Sequence, residues 1–311
     1  MKQEKNNLKV AVMMCCYNGQ EYLNEAIQSV LNQSYSNWKL YFWDNQSTDK
    51  SAEIFNSYKD KRLNYFLAKD HTNLGGSRSG ALDIIEGDLI AILDTDDLWE
   101  KNKLEQQVKH FEDEKVGISI SNTIFFNKKK SKIAFAKSPP QGYVYYELIK
   151  KYYISLETVI IRKSFVDMLE VAFNRKYDYI CDMDLLIRLS KICKLSYDHQ
   201  CLSRWRYHDT SLTSKDPKKF IIEKIKLLSD LDLSNSNNEK KYLIARKKFK
   251  ENLLISDLIN QIIENRRTNF IKLVNEYRVI SIKILFLFFI SILPLGKKMI
   301  IFIRKNYGMI I

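Results

Sequence analysis

The sequence is poor in cysteine, and its few cysteines are not arranged for a structural role. The 311 residues include five, an odd number, and no two of them form a C-x-x-C pair. Neither a zinc site nor a framework of disulfides is therefore indicated. The first stretch, "MKQEKNNLKVAVMMCC", has too short an apolar run, and no small-residue cleavage site, to act as a signal peptide. These absences predict a reducing, cytoplasmic location for most of the chain.

Long hydrophobic runs are also missing. The longest, "ILFLFFISILPL" between Lys283 and Gly296, has about twelve mostly apolar residues, whereas a helix needs about twenty to span a bilayer. From Arg278 to Ile311 there are six Lys or Arg and no Asp or Glu. A basic, aromatic-rich segment of this kind favours a helix that lies in the interface of an anionic membrane leaflet. Packing on the core or within an oligomer is the alternative.

Positive charge exceeds negative charge over the whole chain. Fifty Lys and Arg stand against 37 Asp and Glu, which gives a net charge of +13. Such an excess attracts an anionic partner, which can be a nucleic acid, a membrane surface or a phosphorylated ligand. The charge alone does not choose among them. The hydrophobic content of 45% is enough to fill the core of one large domain, or of one domain with an appendage.

Apolar runs alternate with helical patterns in the amino-terminal half. Strands are predicted at residues 9–14, 38–43, 63–67 and 89–93, with amphipathic segments between and after them. This alternation predicts a parallel sheet that is covered by helices on both faces. Ligands bind such sheets at the carboxyl ends of the strands, where "CCYNGQ", "WDNQSTD" and "DTDD" follow strands one, two and four. Beyond Pro217, helical periodicity without glycine until Gly296 predicts a separate helical extension.

The segment "DTDD" places Asp94, Asp96 and Asp97 directly behind a buried strand. Carboxylates crowded in this way repel one another, so the arrangement favours a hard divalent cation that joins them to phosphate oxygens. An acidic turn that caps the next helix is the alternative. Two neighbouring segments suit a nucleotide: Tyr17 and Asn18 end the first strand, and "HTNLGGSRSGAL" offers backbone N–H groups and Arg78 to a pyrophosphate.

These segments resemble, in their order and spacing, the nucleotide-sugar-binding half of family 2 glycosyltransferases with the GT-A fold. The resemblance covers "VAVMMCCYNGQEYLNEAIQSVLNQSY" through "DTDDLWEKNKLEQQ". It implies an α/β fold with a Rossmann-like, mostly parallel sheet, whereas the carboxy-terminal helical extension is predicted from its composition and lies beyond the resemblance. The GT-A domain would span residues 1–215, with the nucleotide-sugar-binding half at 8–125 and the acceptor and catalytic-base half at 126–215. Residues 216–311 would form the extension, with a membrane-associating segment at 278–305.

The resemblance also implies roles for single residues. Asp94, Asp96 and Asp97 match the family's D-x-D signature, which contacts the ribose and a divalent metal, Mn²⁺ or Mg²⁺. Tyr17 matches an aromatic that stacks on uracil, with Asn18 beside it. Three further residues are assigned to the donor nucleotide, namely Asp44, Asn45 and Arg78. Asn45 stands where the family usually has an acid, but its carbonyl can still accept from the N–H of uracil.

Two later segments complete the resemblance. In "YDYICDMDLLIRLS", Asp182 takes the place of the family's catalytic base, although Asp184 and Asp178 are rival positions. In "SRWRYHDTSLTS", Arg206 and His208 would approach the diphosphate or the acceptor, and His208 would also be a metal ligand.

The resulting hypothesis is a metal-dependent inverting glycosyltransferase that moves one sugar from a UDP-sugar to a saccharide acceptor. The tail and the family together imply a lipid-linked acceptor in surface-polysaccharide assembly, such as O-antigen or capsule. The protein would be cytoplasmic and peripherally bound to the anionic cytoplasmic face of the inner membrane. A nucleotidyltransferase of related fold and a non-catalytic basic binding protein are the alternatives. No nucleic-acid partner is expected, because basic and aromatic residues are not interleaved on one face.

Overall fold

Strands and helices alternate in the amino-terminal part of the chain, as the apolar pattern predicts. The computed structural model describes residues 7–208, 211, 216–234, 240–263, 274–275, 277–293, 296, 298 and 300. The chain divides into two units, of which one comprises residues 1–145 and 153–208 and the other residues 146–152 and 209–311.

The first unit contains a nine-stranded sheet and short helices. The strands are β1 (Val10–Cys16), β2 (Trp38–Asp44), β3 (Leu63–Leu67), β4 (Leu89–Ile92), β5 (Leu98–Trp99), β6 (Val116–Phe126), β7 (Ser131–Ile133), β8 (Ile160–Arg162) and β9 (Lys194–Arg206). The helices are α1 (Leu23–Leu31), α2 (Ser51–Ser57), α3 (Leu74–Leu82), α4 (Lys103–Val108), α5 (Tyr145–Lys150), which runs into the second unit, α6 (Lys163–Val166) and α7 (Cys181–Leu189). Two 3-10 turns cover Lys109–Glu112 and Leu156–Thr158.

The sheet is parallel in its first half and mixed in its second. Its order is β3-β2-β1-β4-β8-β6-β9-β5, with β7 paired to β6. β1 pairs in parallel with β2 and β4, and β2 with β3. β8 runs antiparallel to both β4 and β6, and β5 runs antiparallel to β9. Helical crossovers join the parallel strands of the first half, and in the second half β6 also pairs in parallel with β9.

The core of the first unit lies against the central strands. β1 is buried on both faces, which explains its continuous apolar sequence. On one face Val10, Val12 and Met14 belong to the same apolar cluster as Ile27 of α1. Phe42 of β2 stacks on a ring of α2 in that cluster, and burial of one such side chain contributes about 1.5–3 kcal/mol. This packing fixes the strand tips, and with them the loops that follow.

The second unit is helical over its described residues, as the composition beyond Pro217 predicts. Its helices are α8 (Pro217–Ser234), α9 (Lys240–Ile263) and α10 (Ile282–Ile292). The buried residues of α9 recur at helical spacing and form one face of the helix. They are Tyr242, Ala245, Phe249, Leu253, Leu254, Leu258 and Ile262. α10 covers the middle of the predicted membrane-associating segment 278–305, while residues 294–295, 297, 299 and 301–305 of that segment lie outside the described residues. Over the described part of the chain, none of the helices combines the length and the apolarity that crossing a bilayer requires.

Candidate active site

The acidic segment forms a turn between β4 and β5, where the amide of Asp97 donates to the carbonyl of Asp94 at 3.3 Å. β5 is held against β9, so the turn is closed on both sides. α4 begins only at Lys103, with Asn102 as its N-cap residue. The alternative that "DTDD" caps the next helix is therefore wrong.

A buried arginine joins this turn to the predicted catalytic base. The Arg78 side chain is only 3% exposed, and its Nη2 lies 3.0 Å from Oδ1 of Asp94. Its Nη1 lies 3.7 Å from Oδ1 of Asp182 and donates to Sγ of Cys181 at 3.3 Å. Burial raises the pKa of Asp94 while Arg78 opposes this shift. One guanidinium thus links three parts of the chain that are about 16 to 100 residues apart.

The local sequence of α3 brings Arg78 to this position. Asn73 caps the helix by accepting from the amide of Gly76 at 2.8 Å. A Cβ on Gly75 would lie 2.2 Å from the carbonyl oxygen of Tyr177, so only glycine permits this approach. The carboxylate of Asp178 accepts from the amide of Leu74 at 2.9 Å. The start of α3 is therefore fastened directly to the segment that leads into α7.

The three candidate bases have different surroundings. Asp182 lies in the first turn of α7 with its side chain 20% exposed, beside Arg78. Asp184 is buried and pairs with Arg188 at 2.7 Å, and that guanidinium also binds two backbone carbonyls. Asp178 holds the start of α3, as described above. Of the three, Asp182 is the carboxylate that lies beside the Arg78–Asp94 pair.

Asp96 and His208 form the part of the site that fits a metal ion. Oδ2 of Asp96 lies 2.9 Å from Nε2 of His208, and both side chains are partly exposed. A carboxylate and an imidazole are donors that a first-row divalent ion accepts, whereas Mg²⁺ favours oxygen alone. No group of three or more His, Cys, Asp or Glu is assembled for a metal among the residues described. Within the described residues this pair supplies two ligands, so an ion held here would need further ones.

Asp97 has a different placement from Asp96. It is buried, and its Oδ1 accepts from the backbone amide of Arg206 at 2.8 Å. Burial raises the pKa of Asp97 well above its usual range, and the carboxylates of Asp96 and Glu157 raise it further. Asp97 thus anchors the end of β9 beneath the acidic turn.

The Arg206 side chain, which the sequence predicts at the diphosphate or the acceptor, is held by four protein groups, one of which is the ring of Phe126 at 4.7 Å. Its Nε donates to the carbonyl of Asp96 at 2.9 Å, and its Nη2 lies 2.8 Å from Glu25. The guanidinium also covers the ring of Tyr22 at 4.3 Å. Arg206 consequently ties the acidic turn to α1. Neither Tyr22 nor Glu25 was predicted as a site residue, because a tyrosine and a charged residue on an amphipathic helix are normally expected to face solvent.

The predicted nucleotide-stacking residue is exposed. Tyr17 is 52% exposed, and its ring lies 4.2 Å from that of His71. Asn18 has a left-handed backbone with φ +56°, which turns the chain out of β1, and its Oδ1 accepts from the amide of Thr48 at 2.8 Å. Tyr17 and His71 together offer an aromatic surface. His71 was not predicted, and the signal that would have found it is an aromatic residue at the entry of the glycine-bearing loop.

Asp44 and Asn45 bind other loops of the protein. Asp44 is buried and accepts from the hydroxyl of Tyr65 and the amide of Ser47, both at 2.7 Å. Asn45 exchanges hydrogen bonds with the backbone of Thr72, donating at 2.7 Å and accepting at 3.1 Å. Both side chains therefore join the loops at the ends of β2 and β3, next to the Tyr17–His71 pair.

The fourth strand of the parallel half of the sheet leads into an acidic turn, and a buried arginine links that turn to a carboxylate at the start of a later helix. This arrangement defines a GT-A type transferase. Residues 11–168 match the description "Glycosyl transferase family 2". The chain belongs to this family. Membership confirms the predicted family and argues against both a nucleotidyltransferase and a non-catalytic binding protein.

Curated relatives include bacterial glycosyltransferases. WfaP of Escherichia coli, a UDP-Glc:alpha-D-GlcNAc-diphosphoundecaprenol beta-1,3-glucosyltransferase, is 29% identical over 212 residues, which are 68% of this chain and 82% of WfaP. TuaG of Bacillus subtilis, a putative teichuronic acid biosynthesis glycosyltransferase, is 26% identical over 208 residues, which are 66% of this chain and 81% of TuaG.

Solved structures confirm the fold. TarS 1–349 of S. aureus, in complex with UDP-GlcNAc, superimposes with a TM-score of 0.67 at 16% identity, covering 86% of this chain and 80% of TarS 1–349. The mannosyltransferase PcManGT from Pyrobaculum calidifontis, in complex with GDP-Man and Mn²⁺, superimposes with a TM-score of 0.55 at 14% identity, covering 80% of this chain and 72% of PcManGT.

Proposed function

We propose that this glycosyltransferase moves one sugar, with inversion, from a UDP-sugar to a lipid-linked saccharide in surface-polysaccharide assembly. The observation that carries the proposal is the Arg78 bridge, which places Asp182 next to Asp94 of the acidic turn. A base beside the donor-binding turn is what a single displacement at the sugar carbon requires. The activity of WfaP, which uses UDP-Glc and a diphosphoundecaprenol-linked acceptor, supports the choice of both substrates.

Each side chain then has a defined task. Asp182 takes the proton from the attacking hydroxyl of the acceptor. Arg78 holds that carboxylate and Asp94, which binds the ribose. Tyr17 offers its exposed ring to the base.

The remaining donor-site residues act on the edge of the base and on the diphosphate. Asp44 and Asn45 fix the loops at the base, where lone pairs of their oxygens can still accept from uracil. Asp96 and His208 would hold Mn²⁺, which when bound stabilises the charge on the departing diphosphate. Asp97 and Arg206 keep the acidic turn and β9 together, so that the two metal-binding side chains stay adjacent.

The carboxy-terminal unit supports peripheral binding to the anionic cytoplasmic face of the inner membrane. Residues 216–311 contain 19 Lys or Arg and nine Asp or Glu, which accounts for ten of the 13 net positive charges. One face of α10 exposes large apolar side chains at helical spacing, namely Ile282, Leu285, Phe286, Phe289 and Leu293. Its opposite face is buried, and Ile290 there packs with Ile262 of α9. An apolar stripe on a basic unit is typical of a helix that lies in a membrane interface.

The test of this function is a panel of UDP-sugars, incubated with the protein, Mn²⁺ and membranes and scored for release of UDP. One donor should be turned over. In D182N the rate should fall about 10²- to 10⁴-fold, because the general base is lost, while UDP binding is retained. D184N removes a charge two residues away and is the matched control, with an expected loss below about tenfold, since its Arg188 partner keeps its backbone contacts. If no donor is hydrolysed or transferred, or D182N stays as active as the wild type, the proposal is wrong.

A further inference from the structure

One lysine of the second unit is partly buried and, among the described residues, lacks the partners that a buried cation normally has. Lys250 lies on α9 and lines a cavity of about 200 Å³. Among the residues that the structure describes, none accepts a hydrogen bond from its Nζ, and no carboxylate lies within ion-pair distance. A partly desolvated charge without a partner is unfavourable, so its presence calls for an anion from outside the chain.

The nearest carboxylate is already committed to other groups. Asp232 of α8 receives a bidentate ion pair from Arg246, whose Nε lies 2.6 Å from Oδ1 and whose Nη2 lies 3.0 Å from Oδ2. The hydroxyl of Tyr242 donates to the same carboxylate at 2.5 Å. Asp232 therefore neutralises Arg246 and leaves Lys250 uncompensated.

The other charges around Lys250 are positive. Burial lowers the pKa of Lys250, and the guanidinium groups of Arg246 and Arg278 lower it further, while Asp232 only partly opposes them. Among the described residues, Arg246 and Lys250 line the cavity together with the carboxylate of Asp232, and Arg278 is a third cation that acts on Lys250. Arg278 is exposed and has a left-handed backbone with φ +51°, so its side chain lies at the surface of the unit.

The walls of the cavity suit a phosphate group that is attached to an apolar tail. Ser229 adds a hydroxyl group near the cations, Tyr277 lines the cavity while its hydroxyl donates to Asp257 at 3.2 Å, and the other lining residues are the apolar Ile225, Leu228 and Leu253. A phosphate can accept several charge-assisted hydrogen bonds at once.

The cavity lies near the start of α10 along the chain. Tyr277, which lines it, stands five residues before that helix, and Arg278 stands four residues before it. The pKa of Glu251, the neighbour of Lys250, is lowered by a hydrogen bond from Lys248 and, more weakly, by Lys283 of α10. The exposed apolar stripe of α10 begins at Ile282, four residues after Arg278. Cations at one end of an apolar stripe match the phosphate and the chains of a membrane lipid.

We propose that Lys250, Arg246 and Arg278 form a binding site for the phosphate group of a membrane lipid, whose acyl chains lie along the apolar face of α10. The site rests on the membrane association proposed above and is separate from glycosyl transfer. Its role is to fix the depth and orientation of the second unit on the membrane, beyond the diffuse attraction that net charge supplies.

The experiment compares K250M with K247M in the full chain. Lys247 is exposed on the same helix, so both variants remove one charge, but only Lys250 lines the cavity. Vesicles of phosphatidylcholine with phosphatidic acid are used in sedimentation assays, and inorganic phosphate is used in thermal unfolding. K250M should weaken vesicle binding about tenfold or more, and K247M only a few-fold. Phosphate should raise the Tm of the wild type and of K247M in a saturable way, and leave K250M unchanged.

Without phosphate, K250M should melt at a higher temperature than the wild type, because the substitution relieves repulsion among the three cations. Equal loss of vesicle binding in both variants would overturn the site, since it would show diffuse attraction alone. Phosphate binding that depends on Lys250, with vesicle binding that does not, would also overturn it, because the ligand would then be a free phosphate. Absence of vesicle binding in the wild type, with UDP release intact, would refute the membrane role and leave the glycosyltransferase proposal standing.

Discussion

At the scale of single residues, Arg78 is the side chain on which the site depends. It is buried, and it holds the acidic turn and α7 with the two halves of one guanidinium. A planar fork can satisfy two carboxylates at once, whereas an ammonium is a point charge. The neighbouring thiols cannot take over this task, since burial raises the pKa of both Cys15 and Cys181 to about 12 and keeps them neutral.

The substitution R78K tests this bridging role. We expect kcat to fall about tenfold to a hundredfold, because Lys can hold Asp94 or Asp182 but not both in place. KM for the donor should change less than kcat, since the donor-facing atoms of Tyr17 are untouched. Steady-state kinetics of UDP release measure both constants. A variant whose KM rises while kcat is unchanged would show instead that Arg78 binds the donor directly.

The substitution H208A, which removes an imidazole, tests whether Asp96 and His208 bind the metal ion together. In H208A, the Mn²⁺ concentration for half-maximal activity should rise about tenfold, because one of two protein ligands is lost. Binding of Mn²⁺, followed by electron paramagnetic resonance, should weaken in parallel. His199 is exposed on β9, so H199A is the control and should bind Mn²⁺ like the wild type. Full activity of the wild type in EDTA would contradict any metal role.

At the scale of elements, α4 is fastened to the sheet by a buried polar cluster. Lys103, the first residue of α4, is fully buried and donates to the carbonyl of Thr158 at 2.9 Å and to Gln107. Gln107 in turn donates to Ser119 of β6 at 2.9 Å. Burial lowers the pKa of Lys103 to about 7, although the carboxylates of Glu157 and Asp198 oppose the shift. The cluster therefore changes its charge near neutral pH.

This shift predicts a pH dependence of stability. Between pH 7 and 10.5 the folded protein has released the Lys103 proton while the unfolded chain still binds it, so the free energy of unfolding should rise with pH. The slope contributed by one such group is at most about 1.4 kcal/mol per pH unit. Urea unfolding of the wild type and of K103M between pH 7.5 and 9 measures the difference. Equal slopes would mean that Lys103 stays charged when folded.

At the scale of the whole molecule, function is divided between the two units. The candidate active site, from Tyr17 to His208, lies within the first unit, and most of the net positive charge lies in the second. Such a division lets one unit perform transfer while the other selects the surface on which the acceptor is found. Each activity should then be removable without the other.

The double variant F286S/F289S tests that division. It removes two exposed rings, which are 62% and 61% exposed, from the apolar stripe of α10. Binding to anionic vesicles should fall at least tenfold, because each buried aromatic ring contributes about 1.5–3 kcal/mol. Hydrolysis of the UDP-sugar in solution should be unchanged. L243S/I244S, on an exposed part of α9, is the control; if it loses as much vesicle binding, the stripe is not the docking face.

The elements of the first unit were largely predictable from the sequence. The first four strands lie where continuous apolar runs predict them, because a strand buried on both faces needs no alternation. α3 begins at Leu74 and includes Gly75 and Gly76, which have low helix propensity, so its start depends on tertiary contacts and was not evident from the sequence. The position of β8 between β4 and β6, antiparallel to both, was not predictable either, because it depends on pairing between strands that are distant in sequence.

The sequence by itself determined where the first four strands lie along the chain, the acidic turn after the fourth strand and the division of charge along the chain. These features depend on residues that are neighbours in sequence. The tertiary structure alone decided that Arg78 binds Asp94 and Asp182, that Asp97 is turned inward, and that Arg206 is held by Glu25. These pairs are formed by residues that are about 16 to 181 positions apart. Only packing of the elements against one another brings such residues into contact, and no local pattern records it.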